Sequence, residues 1–407
     1  MKKITFIHGA DLHLDSPMVG LRHLPEPIFK RLQESSFTAF QKLIDAAIQH
    51  QVDFVILAGD IFDGENRSIR AQSRFRNQID RLALHQIPVF IIYGNHDHLD
   101  GKWARMSLPE NAFVFPATVE VKTIQCENAT TVSLYGFSYP HRHVHERRIV
   151  EYQKTGLADF HIGILHGHYE GSSDHGKYAP FQLTDLLEKQ FDYWALGHIH
   201  KRAELSHEPP IIYPGNIQGR HRKEVGQKGC YLATLTDTEK QLNFISLSDI
   251  IWDEIEIDVS QVESIADLYQ LCREEMNRIR KDRIGILVSL KLIGVSLLDN
   301  QIQYLESGEL LESLQDEEKD DEYSFVWPIE LVFERKVEYA RNSLMNEADF
   351  FKELFQAVDT YDNWDEKMSP FYQQSAVRNL ELHLSQNEKN QIIEDAERLL
   401  VKWLKQD

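Results

Sequence analysis

Cysteine is scarce: three among 407 residues, Cys126, Cys230 and Cys272, isolated and without a C-x-x-C pair. Such spacing points to neither a disulfide framework nor a cysteine zinc site, and predicts three buried thiols. The chain also lacks any apolar run approaching the roughly eighteen residues of a membrane span. Its opening, MKKITFIHGADLH, meets a histidine and an aspartate too early for a secretory signal, so a cytoplasmic location is expected. Positive charge is in deficit, with a formal net charge of -20 that argues on its face against a nucleic-acid partner. The deficit is uneven, however. Residues 251–407 carry 35 acidic and 17 basic side chains, which leaves 29 and 27 for the first 250. Histidine is skewed in the same sense: of 19, only His383 lies beyond residue 250. The chemistry is therefore expected in the first 250 residues.

There, short β-branched and aromatic runs alternate with amphipathic stretches, the pattern of layered α/β structure. Strands are predicted in KITFIHG, VDFVILAGD, IPVFIIYGN, TVSLYGF, FHIGILHGH, FDYWALGH and GCYLATL. Between the first two, Phe29, Leu32, Phe37, Phe40, Leu43, Ile44 and Ala47 recur at helical spacing, and a second helix is predicted over Ser68 to His85. Beyond residue 250, IIWDEIEIDVS, RIGILVSLKLIGV and WPIELVFERKVEY read as strands and LYQLCREEMNRIRK as a helix, a small α+β domain. The acidic ESGELLESLQDEEKDDEY reads as a solvated helix end or loop. From Asn342 onward helices are expected, with Ile392, Ile393, Ala396, Leu399, Leu400 and Trp403 along one face. The predicted domains are residues 1–248, 249–338 (cap-like) and 339–407 (helical).

Five clusters follow predicted strands: Asp11-Leu-His13, Gly59-Asp60-Ile-Phe-Asp63, Gly94-Asn95-His96-Asp97, His166-Gly-His168 and Gly197-His198-Ile-His200. The carboxyl edge of a layered α/β sheet is where loops converge on ligands. Carboxylate, imidazole and carboxamide donors without thiolate suit manganese, iron or zinc. Seven donors, Asp11, His13, Asp60, Asn95, His166, His198 and His200, are too many for one ion. They fit a pair about 3.5–4 Å apart, which clamps both oxygens of an in-line displacement at phosphorus and lowers the pKa of a bridging water. Gly59, Gly94 and Gly197 precede ligand candidates, where a side chain would crowd the ions.

Taken in order, D-x-H, G-D-x-x-D, G-N-H-D, a lone histidine and G-H-x-H resemble the calcineurin-like metallophosphoesterases. FIHGADLHL, GDIFD and YPGNIQGR are more specifically similar to the SbcD-type DNA repair exonucleases, most of all a YhaO-like bacterial branch, over residues 1–245. That resemblance implies a four-layer αββα sandwich and a metal-dependent phosphodiesterase acting on DNA. By position it gives the first metal Asp11, His13, Asp60 and His200, and the second Asp60, Asn95, His166 and His198, with Asp60 bridging. His96 matches the family's catalytic histidine, which stabilises or protonates the leaving oxygen, and Asp97 is expected to orient it. Where some members carry a second histidine this chain has Asp63, which leaves that position's role open. The resemblance further implies two divalent ions, Mn2+ first among them, a coiled-coil ATPase partner of the SMC-like, SbcC type, and a homodimer to which the helix over Gln72–His85 contributes.

His8 and His168 are read as packed beside the site, and His141, His143 and His145 as members of a polar loop. Arg220, Arg222 and Lys223, after PGNIQ, are the expected nucleic-acid contacts; Arg67, Arg70, Arg74, Arg76, Arg142, Arg147 and Arg148 are weaker candidates. Two alternatives stay open: a phosphoesterase on another substrate, such as a phosphoprotein or a nucleotide, and a non-catalytic metal-binding scaffold for an ATPase.

Overall fold

The computed structural model describes residues 2–18, 21, 24–64, 68–103, 106–170, 178–318, 323–335, 341–361, 367 and 386–405. Arg67 and His383 lie outside them. The chain divides into two compact units: Met1–Ile257, Ser264–Lys291 and Asp299–Val332 in the first, and Asp258–Glu263, Leu292–Leu298 and Phe333–Asp407 in the second. The boundary predicted at residue 248 thus falls inside the first unit.

The seven predicted strands of the first 245 residues are present as β1 (Lys3–Gly9), β2 (Phe54–Ala58), β3 (Val89–Ile92), β6 (Thr131–Gly136), β7 (Phe160–His166), β8 (Tyr193–Gly197) and β11 (Gly229–Thr236). Five more join them: β4 (Ala112–Val114), β5 (Glu120–Gln125), β9 (Ala203–His207), β10 (Pro210–Tyr213) and β12 (Lys240–Ser246). One six-stranded sheet runs β12-β11-β1-β2-β3-β4 and the other β5-β6-β7-β8-β10-β9. The pairs from β1 to β4 are parallel, as are those joining β6, β7, β8 and β10.

Strand alternation builds the layers. Phe54, Ile56 and Ala58 of β2 and Phe90 and Ile92 of β3 face inward, against Leu134, Ile162, Ile164 and Ala195 of the second sheet. The intervening Val55, Leu57, Val89 and Ile91 face outward, against Phe40, Leu43 and Ala47 of α1 (Glu26–Gln49) and Phe75, Ile79 and Leu82 of α2 (Ile69–Leu84). Apolar side chains on both faces are why these strands read as unbroken apolar runs. The outer face of the second sheet, with Leu165, Trp194, Leu196 and Ile211, is covered by Ile149, Tyr152, Phe181, Leu186 and Phe191. This cover comes from a short 3-10 helix, Arg148–Glu151, the six-residue α3 (Leu183–Glu188) and aromatic-rich loops. The architecture is the expected four-layer αββα sandwich, with one outer layer reduced.

Within the first unit, Ile28 and Leu32 of α1 share a core with Ile250, Trp252, Leu287, Phe325 and Trp327. The Arg31 guanidinium pins that junction, donating from Nε to Asp249 Oδ2 at 3.0 Å and from Nη2 to the Arg283 carbonyl at 3.0 Å. A three-stranded sheet, β13 (Ile250–Asp258), β14 (Gly285–Val295) and β15 (Val326–Arg335), follows that order, with α4 (Ile265–Ile279) between β13 and β14 in the chain. The acidic run departs from its expectation. It contains α6 (Glu309–Glu318), which follows α5 (Asp299–Glu306) and buries Leu310, Leu314 and Glu318. Glu318 accepts from Arg280 Nη1 at 3.0 Å and from the Val326 amide at 2.8 Å, so that one charge is paired inside. In the second unit α7 (Arg341–Glu347), α8 (Asp349–Asp359) and α9 (Gln386–Lys405) pack around Leu344, Phe355 and Val401. Among the described residues no helix is long and apolar enough to cross a membrane.

Candidate metal centre

The loops after β1, β2, β3, β7 and β8 leave the carboxyl ends of strands and are stitched to one another through their backbones. The Asp11 and His13 amides donate to the Gly59 and Asp60 carbonyls at 3.1 and 3.0 Å, and the Gly167 amide to the Gly197 carbonyl at 3.1 Å. Asp11, His13, Asp60 and His198 all have left-handed backbones, with φ of 51°, 42°, 50° and 99°. Side-chain-bearing residues pay for that conformation, and it is held here because each loop is fixed by its neighbour. Space is just as constrained. A Cβ on Gly94 would lie 2.3 Å from Asp60 Oδ1, and one on Gly59, where φ is +92°, 2.3 Å from His166 Nδ1.

Three groups of donor atoms gather within 4.8 Å of one another: Asp11, His13 and His200; Asp11, Asp60 and His166; His13, Asp60 and His96. Asp60 Oδ2 stands between the first two sets, 3.8 Å from His13 Nε2 and 3.4 Å from His166 Nε2. Its other oxygen accepts from the His96 amide at 2.9 Å. Asn95 Oδ1 is 3.2 Å from His166 Nε2. His166 Nδ1 lies 3.0 Å from the Ala58 carbonyl, which fixes a proton there and turns Nε2 toward Asp60 and Asn95. His198 stands outside these groups: its amide donates to both Asp11 oxygens at 3.0 Å, and its ring lies 5.2 Å from that of His166.

These residues fit a cation. His200 Nδ1 is 2.7 Å from Glu224 Oε1, so the proton sits on Nδ1 and the Nε2 lone pair faces inward. His13 Nε2 meets it at 3.1 Å, with His13 Nδ1 turned to Asp63. His13 and His200 thus present Nε2 atoms 3.1 Å apart beside the Asp60 carboxylate, a donor set that a cation can share. Burial pushes the His13 imidazole down to about 3, helped by Arg220, which keeps it in the neutral, ligating form. Burial also pushes the Asp60 carboxyl up, but the His166 and His96 rings outweigh it and hold the group well below the usual carboxylate range.

A family model for calcineurin-like phosphoesterases matches residues 4–202. A Bacillus subtilis protein described as an uncharacterized metallophosphoesterase, YhaO, is 42% identical over 411 residues, spanning 99% of this chain and 98% of its own. The chain belongs to the calcineurin-like metallophosphoesterases. More distant relatives of this metallophosphoesterase are archaeal DNA double-strand break repair proteins named Mre11. The Thermoplasma acidophilum protein is 25% identical over 306 residues (71% of this chain, 73% of its own), and that of Sulfolobus acidocaldarius 26% over 305 (70% and 74%).

Around the metallophosphoesterase centre the structure redistributes several expected roles. Asp97 does not take the place expected beside the His96 ring. Its oxygens accept from the Ile61 and Gly94 amides, both at 2.7 Å, and so tie the loop after β3 to the loop after β2. The carboxylate at His96 Nδ1 is that of Asp63, at 3.2 Å. Adjacent residues on a tight turn point in different directions, and the partner comes from another loop. Arg220, expected at nucleic acid, is turned inward: its Nη1 is 3.3 Å from Asp63 Oδ2 and its Nη2 is 3.5 Å from Glu224 Oε1. Arg222 is 62% exposed and paired with Glu330 at 2.8 Å, and Lys223 is exposed. Arg70 and Arg74 both engage Glu34 of α1.

His8, a buried residue, bonds Tyr193 Oη at 3.0 Å and the Leu196 carbonyl at 3.2 Å, a packed histidine as expected. His141, His143 and His145 are exposed in a loop, where His143 Nδ1 meets Tyr178 Oη at 2.9 Å. Sequence reasoning missed Glu224, whose Oε2 accepts from Asn216 Nδ2 at 2.9 Å and from the Arg220 amide at 2.7 Å. A buried acid behind a ligating histidine is a common pairing. Nothing in the spacing of HRKE sets Glu224 apart from any surface glutamate.

Proposed function

We propose that this metallophosphoesterase hydrolyses DNA phosphodiester bonds, as an exonuclease of the repair type. The observation that carries this reading is the extent of the likeness to the Mre11 proteins. It runs over 306 aligned residues, far beyond what the phosphoesterase model at 4–202 needs, and so takes in sequence outside the catalytic sandwich. Lys223 supports it, an exposed cation that lines a cleft of about 300 Å³ with Arg222, Val225, Asp253, Glu254, Ser289 and Glu330. It offers a sequence-independent contact to a phosphate backbone, while Arg222 is paired with Glu330.

In this reading Asp11, His13, Asp60 and His200 hold one divalent ion and Asp60, Asn95, His166 and His198 the other, and we assign both as Mn2+. When bound, such ions supply Lewis acidity at the phosphorus and lower the pKa of the attacking water. The chain's own groups do the rest. His96, steadied by Asp63, delivers a proton to the leaving oxygen. The same proposal takes residues 249–338 as a cap and 339–407 as the contact for an SMC-like coiled-coil ATPase, with α2 contributing to a homodimer.

Incubation with Mn2+ and linear duplex or single-stranded DNA, beside a cyclic nucleotide and a phosphopeptide, tests the substrate. Release of nucleotides from DNA is expected; turnover of only the small substrates would overturn the nuclease reading.

A further inference from the structure

The His13 and His200 rings meet at their Nε2 atoms, and their outward nitrogens lead into a closed circuit. His13 Nδ1 is 3.5 Å from Asp63 Oδ1, and Asp63 Oδ2 is 3.3 Å from Arg220 Nη1. Arg220 Nη2 is 3.5 Å from Glu224 Oε1, and that oxygen is 2.7 Å from His200 Nδ1. The last step back, His200 Nε2 to His13 Nε2, is 3.1 Å. All members of the circuit are largely buried: the Arg220, Asp63 and Glu224 side chains are 14%, 15% and 6% exposed. The two carboxylates come from loops far apart in the chain, after β2 and after β10, and a single guanidinium spans them.

We propose that Arg220 and Glu224 are positioning residues of the metal centre, a brace that orients the His13 and His200 imidazoles toward one ion, and that Arg220 is not a contact to substrate phosphate. A planar guanidinium with each Nη on a different carboxylate matches this geometry, whereas a lysine ammonium is a point charge that cannot span both. Its charge is also already neutralised by Asp63 and Glu224, so it has little left with which to release counterions from DNA. The ring orientations gain from the brace because Glu224 bonds His200 Nδ1 at 2.7 Å and Asp63 faces His13 Nδ1 at 3.5 Å, which turns both Nε2 atoms inward. His166, whose far nitrogen meets the Ala58 carbonyl, stands outside the circuit. The brace therefore acts on one ion and not the other.

The inference rests on the reading of the cluster as a dimetal centre, and its first readout, metal binding, needs no DNA. Metal-stripped full-length protein is titrated with Mn2+ by calorimetry, as wild type and as Arg220→Gln, Arg220→Lys and Glu224→Gln. For Arg220→Gln, one of the two binding events is expected to weaken by about tenfold to a hundredfold while the other stays within about threefold. Arg220→Lys should weaken the same event and rescue little, and the Arg220→Gln, Glu224→Gln double variant should bind no more weakly than the worse single one. If Arg220→Gln fails to unfold cooperatively when stripped of metal, Arg220→Lys and Glu224→Gln carry the test. Wild-type Mn2+ binding in Arg220→Gln with a raised KM for DNA would overturn the brace and make Arg220 a phosphate contact. Equal weakening of both events would also overturn it. A wild-type protein that takes up no Mn2+ would bring down the dimetal reading, and the brace with it.

Discussion

His96 Nδ1 stands 3.2 Å from Asp63 Oδ1, and the same oxygen lies 3.5 Å from His13 Nδ1. One carboxylate thus touches both the proposed proton donor and a proposed metal ligand, at the position where the family resemblance left the role open. Burial works against the Asp63 carboxylate, but His13, His96 and Arg220 hold it well below the ordinary range. It stays charged, and a charged partner favours the protonated His96 that a general acid needs.

His96→Ala is expected to lower kcat by about 10²–10⁴-fold, the usual worth of a positioned general acid, with bound metal unchanged. Asp63→Asn should cost less in kcat. Elemental analysis beside steady-state kinetics checks both; loss of metal in His96→Ala would make it a ligand instead.

Asp97 carries a structural expectation. Its two oxygens hold buried backbone donors, so Asp97→Ala leaves the Ile61 and Gly94 amides without their charged acceptor. Each such bond contributes about 1.5–3 kcal/mol. Urea unfolding should show a stability loss of about 3 kcal/mol or more. An unchanged midpoint alongside lost activity would return Asp97 to a catalytic role.

Gly94→Ala places a methyl 2.3 Å from Asp60 Oδ1 and 2.7 Å from His166 Nε2. Neither atom can retreat, because both are buried and bonded. The variant is expected to bind fewer than two Mn2+ per chain by elemental analysis, and full loading would show that the loop can shift.

His198 and His200 should fail differently. His198→Ala and His200→Ala are each expected to retain about one ion per chain in the proposed two-ion assignment. Anomalous scattering from crystals of each variant soaked in Mn2+ should show opposite positions emptied. The same position emptied in both would mean that the pair serves one ion.

The pH dependence of stability has an identifiable contributor in His8. Burial pushes its imidazole from 6.5 down to about 3, against a raising contribution from the Leu196 carbonyl. The unfolded chain therefore takes up a proton below pH 6.5 that the folded chain refuses until about pH 3. The stability from keeping His8 neutral is complete above pH 6.5 and is lost as pH falls through that window, at up to roughly 1.4 kcal/mol per pH unit. Thermal melts of wild type and His8→Gln between pH 7 and 4 should show a shallower acid decline in the variant; parallel curves would remove His8 from the account.

Much of this was legible in the sequence because the sandwich buries both faces of its central strands. Phe54, Ile56 and Ala58 serve one core and Val55 and Leu57 the other, so strand β2 appears as a plain apolar run. The half-exposed strands β5, β9 and β12 interleave polar side chains such as Glu120, Lys122, Glu204, Gln241 and Asn243 with apolar ones and escaped notice. Helix α6 was hidden by composition: two leucines and one paired glutamate do its packing inside an acidic run.

The sequence by itself determined which donors reach the edge of the sheets, since a ligand placed just after a buried strand can emerge only at that strand's carboxyl end. It also determined where glycine had to stand, as at Gly94, beside two side chains that leave no room for a Cβ. Only the tertiary structure decided which carboxylate serves which imidazole. Asp97 is His96's neighbour in the chain and Asp63 its neighbour in space. Glu224 lies 24 positions from His200 yet bonds its ring. Chain order fixes where a residue leaves the backbone, whereas a hydrogen bond depends on where loops from different strands converge, which is set by how the two sheets pack.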